Sequence, residues 1–412
     1  MWLRYKVALA VGLVATSFTA NALSSSLLDL RANAMGGAGV AAANGMNAVF
    51  INPALLMAVG DFDTVPVVVA ARFVDPKNLE DELDRYQQRG LEVTFETSLS
   101  TFKSDPTAPS GRSNIAQATQ NIIAQLGRFS ARAAIDEVNS GFAVGLSNQQ
   151  RRTALTLAVT SLSAGRVVNV ASGVDLFAGV ITAMNEGLET TDDAFNIVLS
   201  GPARNFKPSL ATRGALIYEL GWTMAREITF GDHKMMLGVT PKYVDVTTFD
   251  TDQALTDATF NSKDGQQRYA SFNVDVGLSK EYANGWRSGV VIRDLVPHEY
   301  RTALGNAIKV GPQARLGVAK TSDWLSLAMD LDLNQRDTLG LGANAQYLGV
   351  GAEIAVTDSA RLRAGYRYSI KDASAHVVTV GAGFSLFGMA ADIAMALNED
   401  ELELSAQLGL RF

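Results

Sequence analysis

Leu404, Ala406, Leu408, Leu410 and Phe412 fall on one parity of the chain's last residues, and Glu403, Ser405, Gln407, Gly409 and Arg411 fall on the other. Successive side chains of a strand point to opposite faces, so this stretch reads as roughly ten residues of amphipathic strand, enough for one tilted membrane crossing. The same rhythm recurs upstream. Leu216, Tyr218, Leu220, Trp222 and Met224 share a parity, and Phe272, Val274, Val276 and Leu278 alternate with Asn273, Asp275, Gly277 and Ser279. Ala283-Asn284-Gly285 is a tight-hairpin signal. Further runs occupy 310–320, 324–334, 347–356, 361–370, 377–386 and 389–397, which predicts about eleven strands after residue 210. Weaker runs at 65–73, 141–147 and 153–161 bring the total to an even number near fourteen.

Parity occupancy decides between a soluble sheet and a barrel in a membrane. One face carries Leu325, Leu327, Met329, Leu331 and Leu333, then Leu348, Val350, Ala352, Ile354 and Val356. The other face carries Ser326, Asp330 and Asp332, then Glu353, then Arg361, Arg363 and Arg367. Mid-strand charges inside a dry sandwich would each cost several kcal/mol, whereas a polar lumen lets them pair. The pattern therefore predicts an all-β fold, an antiparallel transmembrane barrel with apolar outer and charged inner walls. Tyr269, Trp286, Trp324, Tyr347 and Tyr368 lie near run ends, where an interface girdle is expected.

Three stretches break the period of two. Leu79, Leu83 and Tyr86 have helical spacing within 76–89, as do Ile115, Thr119, Ile122 and Leu126 within 114–126, and 191–198 opens with Thr191 as a candidate cap. They read as loop insertions into a barrel domain of residues 61–412. Arg4 and Lys6 precede an apolar run at 7–14 and Ala20-Asn21-Ala22 ends it, so residues 1–22 read as a secretory signal peptide. Residues 23–60 follow, rich in Gly, Ala and Asn, and too poor in large apolar residues to build a core alone.

Composition narrows the chemistry. Charged residues are 19% of the 412, net charge is −7, Gly is 36 and Cys is 0. Disulfides, thiolate metal sites and Cys nucleophiles are excluded, and without a basic stripe no nucleic-acid partner is expected. Gly37-Ala38-Gly39 through Ala42 matches a dinucleotide fingerprint, but no strand precedes it, so the small residues are read as permitting close backbone approach. His233, His298 and His376 have no carboxylate at ligand spacing, and the acids between Asp250 and Asp264 fit no calcium loop. No catalytic centre, metal or cofactor is expected.

Met35-Gly36-Gly37-Ala38-Gly39-Val40-Ala41, followed by Asn47-Ala48-Val49-Phe50-Ile51-Asn52-Pro53-Ala54, resembles the N-terminal signature of FadL-like outer-membrane proteins. The closing pattern, Arg363-Ala364-Gly365-Tyr366, Val380 to Phe384 and Leu408 to Phe412, is similar to the same superfamily, and the layout resembles its conjugal-transfer, TraF-type branch. The resemblance implies a barrel of about fourteen strands in a Gram-negative outer membrane, contacting its lipids, with residues 23–60 as a lumen plug. It implies that Gly36, Gly37, Gly39, Asn52, Pro53 and Ala54 gate the passage of small hydrophobic molecules. It also implies that Phe412 ends the signal read by the outer-membrane insertion machinery. The alternative function is a docking barrel that serves proteins of a conjugation apparatus.

Overall fold

The computed structural model describes residues 26–58, 63–75, 78–105, 108–129, 133–148, 151–185, 208–256, 258, 265–341, 343–371 and 375–411. The predicted signal peptide, the helix expected at 191–198 and Phe412 lie outside them. In chain order the strands are β1 (Asp63–Val74), β2 (Ala134–Asn148), β3 (Arg151–Val168), β4 (Ser209–Phe230), β5 (His233–Ala254), β6 (Gln267–Glu281) and β7 (Trp286–Arg293). Then come β8 (His298–Arg301), β9 (Ala307–Val310), β10 (Gln313–Thr321), β11 (Leu325–Asp332), β12 (Arg336–Thr338) and β13 (Ala343–Ala345). The chain finishes with β14 (Tyr347–Ala355), β15 (Ala360–Ser369), β16 (Val377–Leu386), β17 (Met389–Leu397) and β18 (Glu401–Arg411).

Fourteen of these strands form one closed antiparallel barrel, and β8–β9 and β12–β13 are separate two-stranded hairpins. Closure is made by the first strand pairing with the last, with Val68 opposite Gln407 and Arg72 opposite Glu403. Every other barrel neighbour is the next barrel strand in sequence. Between β6 and β7 Asn284 and Gly285 both take left-handed backbone, at φ 61° and 74°. The reversal spans three residues, since Tyr282 N–H donates to Trp286 O at 2.8 Å, and its left-handed backbone is open to Asn and Gly at little cost.

Alternation sorts the wall into two chemistries. On β18 Leu402, Leu404 and Leu408 are exposed outward, while Glu401, Glu403, Ser405 and Gln407 are buried inward. On β11 and β14 Leu327, Met329, Val350 and Ile354 lie outward, and Ser326, Asp330, Asp332 and Glu353 lie inward. Only a solvent as apolar as lipid accommodates the outer set around the whole circumference, so this is a transmembrane barrel. No described helix is long and apolar enough to cross a membrane.

Trp286, Trp324 and Tyr368 are exposed outward as a girdle requires, whereas two expected members are not. Tyr347 is buried in the lumen, where the guanidinium groups of Arg336 and Arg367 lie 5.8 and 5.4 Å from its ring. It shares the parity of Glu353, and parity overrides position at a strand end. Tyr269 packs against Tyr300 at 5.6 Å and donates its hydroxyl to Arg301 O at 2.8 Å, so it serves a hairpin and not the girdle.

The two ends of the barrel differ. At one, reversals such as 282–285, 322–324 and 356–359 are short; at the other lie long insertions. Four helices, α2 (Leu79–Gln88), α3 (Leu91–Ser104), α4 (Pro109–Leu126) and α5 (Val170–Asn185), follow α1 (Leu30–Ala34) of the N-terminal segment. They build an apolar core of their own at the long-loop end, from residues including Leu83, Phe95, Ile122, Leu126 and Phe177. The helix expected from residue 114 begins at Pro109, whose fixed φ suits a first turn. Helices α3 and α5 were not foreseen. Leu91, Phe95 and Phe102 of α3 are separated by Thr, Ser and Glu, which blurs the apolar stripe.

Candidate functional site

Residues 27–43 and 46–56 are buried almost without exception, although they are mostly Ala, Gly and Asn and hold little regular structure. They fill the lumen as a plug, and wall glycines make this possible. A Cβ on Gly289 would stand 2.6 Å from Val40 O, and one on Gly381 would stand 2.5 Å from Ala34 Cβ. A Cβ on Gly351 or Gly365 would overlap the backbone of Met35 or Gly36, and one on Gly238 or Gly277 would overlap Pro53 or Asn52. These glycines face inward on six strands, with Gly238 opposite Gly277 and Gly351 opposite Gly365. Together they form a belt on which plug backbone rests against wall backbone.

Polar hooks fix the plug on this seat. Asp330 of β11 accepts the backbone N–H groups of Gly39 at 2.8 Å and Val40 at 2.9 Å. Thr379 of β16 accepts from Gly36 N at 2.9 Å and donates to Ala34 O at 3.0 Å. Arg315 donates to Gly37 O at 3.1 Å while pairing with Asp332 at 2.6 Å. Asn52 donates to Val40 O at 2.9 Å and accepts from Ala54 N at 3.1 Å, which ties the two halves of the plug together. Pro53 and Ala54 then begin the turn Pro53–Ala58.

The strongest hook is ionic. Arg31 grips Glu353 of β14 with both arms, Nε–Oε2 at 3.0 Å and Nη2–Oε1 at 3.1 Å, and its third nitrogen donates to Ala42 O. Glu353 also accepts from Arg363 at 2.6 Å, and Arg363 reaches Asp392 at 2.5 Å. Bidentate guanidinium–carboxylate geometry adds direction as well as energy. A polar cavity of about 70 Å³ adjoins the pair, lined by Asn47, Arg361 and Asp392 among others. Asp29 caps α1 by accepting Ala32 N at 3.2 Å and accepts Asn47 Nδ2 at 2.8 Å. Its second oxygen has no hydrogen-bond partner, and burial raises its pKa from 3.8 to about 6.

The structure separates the residues expected from the sequence into groups. Gly36, Gly37, Gly39, Asn52, Pro53, Ala54, Asp330 and Glu353 meet at the plug–wall junction. Asp332 and Arg363 stand behind it as partners of Arg315 and Glu353. Arg367 pairs with Glu401 at 2.6 Å and Glu403 at 3.2 Å, on the wall and not the plug. Arg361 lies at the rim, partly exposed, with Nε 3.9 Å from Glu353. Arg31, Asp29, Thr379, Arg315 and Asp392 also belong to the junction or its partners, though neither the alternation nor the resemblance marks them. Arg31 carried a signal, as the only cation among 23–60. Of the acids between Asp250 and Asp264, Asp250 is buried and accepts from Arg213, Thr302 and Asn306.

Comparison with solved structures gives the fold independent support. A Pseudomonas aeruginosa FadL homologue matches with 11% identity over 96% of this chain and 99% of that chain, at a TM-score of 0.53. The CymD monoaromatic hydrocarbon channel matches with 10% identity over 95% and 99%, at 0.52. The Ralstonia pickettii toluene transporter TbuX matches with 12% identity over 93% and 98%, at 0.50. At such identities the likeness is one of fold. No curated protein sequence matches. The family model described as F plasmid transfer operon, TraF, protein matches residues 49–332, well over half of the chain. With a plugged fourteen-stranded barrel beneath that match, the chain belongs to the TraF family of the F plasmid transfer operon, built on a FadL-type barrel.

Proposed function

We propose that the protein lies in an outer membrane and passes small hydrophobic molecules through its barrel when the plug yields. The observation that carries this reading is the seat. The plug rests on glycines and is held by hydrogen bonds and one bidentate ion pair, all of which can be broken and remade without unfolding the wall. A plug needed only to fill the barrel would be served as well by large apolar side chains. Two solved relatives of this fold are described as a hydrocarbon channel and a toluene transporter, which supports the substrate class. The short-turn end faces the periplasm in this reading, by the usual asymmetry of such barrels. No catalytic role is assigned.

The second reading is a docking barrel for a conjugation apparatus. It is favoured by the family match and by helices α2 to α5, which present a folded cap at the long-loop end. Deleting residues 33–45 and measuring both uptake of an apolar dye and plasmid mating separates the two. Raised uptake supports the channel, and unchanged uptake together with lost mating overturns it.

A further inference from the structure

At the long-loop end two hairpins fold into the lumen and pack against the wall. The upper wall of β1 to β5 turns Val74, Ile135, Leu162, Ala215, Ile217, Val244 and Val246 into the lumen, and the hairpins fold down onto them. Hairpin β8–β9 contributes Tyr300, Ile308 and Val310, and the turn after β12 contributes Leu339 and Leu341. One buried pair on the wall reaches both hairpins, while Tyr269 and Ser271 of β6 add bonds to Arg301 O and the Tyr300 hydroxyl of the first. Arg213 of β4 donates through Nε to Asp250 Oδ2 of β5 at 3.2 Å and through Nη1 to Leu339 O at 2.8 Å. Asp250 Oδ2 accepts from Thr302 Oγ1 at 2.7 Å and Asn306 Nδ2 at 2.8 Å, both in the turn of the first hairpin. Leu339 is held at φ 60°, left-handed backbone that a residue with a Cβ adopts only against a steric penalty. It is kept there by complete burial of its side chain and by the bond from Arg213.

A fully buried leucine in unfavourable backbone, docked through one polar pair shared with a second hairpin, describes a closed position that loses its reason when the pair is broken. We infer that the two hairpins form a second gate, in series with the plug, and that Arg213 and Asp250 are its latch. Behind them the apolar upper wall, whose area the five hairpin side chains now cover, becomes a surface for a small apolar solute. That a solute uses this path rests on the channel reading; that the gate opens does not.

The test exploits the absence of cysteine. Ile308→Cys, fully buried in the closed hairpin, is exposed to a water-soluble maleimide in the full-length protein reconstituted in lipid vesicles. Asp250→Ala is added in one variant, and Thr302→Val with Asn306→Ala in another that leaves the barrel strands untouched. Retained mobility difference between unboiled and boiled samples shows that the barrel is intact. Labelling at least tenfold faster in either variant is the expected result. Unchanged labelling in the intact hairpin variant overturns the gate. Dye flux through the same vesicles, with the plug shortened by residues 33–45, is read separately. Faster labelling with unchanged flux keeps the gate and removes the channel reading.

Discussion

Breaking the ion pair between Arg31 and Glu353 should free the plug, and by different amounts from its two sides. Both side chains are buried, at 6% and 7% exposure. Arg31→Met leaves Glu353 still paired with Arg363, so the loss is that of charge-assisted hydrogen bonds, about 1.5–3 kcal/mol. Glu353→Gln leaves Arg31 buried without its carboxylate and deprives Arg363 of one of two, a change of about 3–5 kcal/mol. The adjoining polar cavity can hydrate an orphaned group. The lower ends therefore apply, about 1.5 and about 3 kcal/mol, or roughly tenfold and hundredfold in plug opening. The double variant removes both charges and leaves none stranded, so it should open less than Glu353→Gln alone, a non-additivity expected of contacting groups. Ala34→Cys reports the opening, since Ala34 is fully buried against the wall and the rest of the chain has no thiol. Maleimide labelling is normalised to Val93→Cys on the exposed face of α3. If Glu353→Gln labels no faster than its parent while the barrel stays folded, the ion pair does not hold the plug and the reasoning fails.

Three further outcomes are expected. Gly351→Ala places a methyl against Met35 backbone and should loosen the plug by about 1–3 kcal/mol, read as faster Ala34→Cys labelling, whereas Gly179→Ala on α5 meets nothing and should leave it unchanged. Asp29 binds its proton more tightly in the docked plug than in a solvated one, because burial has raised its pKa. Docking should therefore strengthen as pH falls from above 6 toward 4, and normalised labelling should slow; Asp29→Asn keeps the cap and should weaken that dependence relative to the parent. Met329→Arg on the lipid face should cost about 2–4 kcal/mol in urea unfolding from vesicles, and Trp324→Arg near the short-turn rim about 0–1 kcal/mol.

Much of the wall was legible because alternation between tight turns leaves little freedom. The runs read at 377–386 and 389–397 are the strands Val377–Leu386 and Met389–Leu397. Parity also held the answer for Tyr347, which position at a strand end concealed. The glycine belt was readable in the same way, since Gly277 and Gly351 share parity with Asp275 and Glu353, but a glycine states only that space is needed and not what fills it. The partner of Arg31 was not legible. Any inward acid satisfies the pattern, and the choice of Glu353, 322 residues away, is made by how the plug lies in the closed barrel. The latch was hidden for another reason: Asp250 sits in a run of acids that reads as solvent-facing until the hairpins fold down onto it.

Locking the plug tests the central claim most directly. Ala34→Cys with Gly381→Cys places the only two thiols of the chain on facing plug and wall backbone; the two Cβ atoms would stand 2.5 Å apart, short of the roughly 3.5–4.5 Å of a disulfide, so the plug must draw back by about 1 Å from the wall as the bond forms. Flux of an apolar dye through vesicles holding this variant should fall to background on oxidation and return on reduction. Flux that is undiminished with the disulfide formed would contradict the account, because the plug would then be no part of the path.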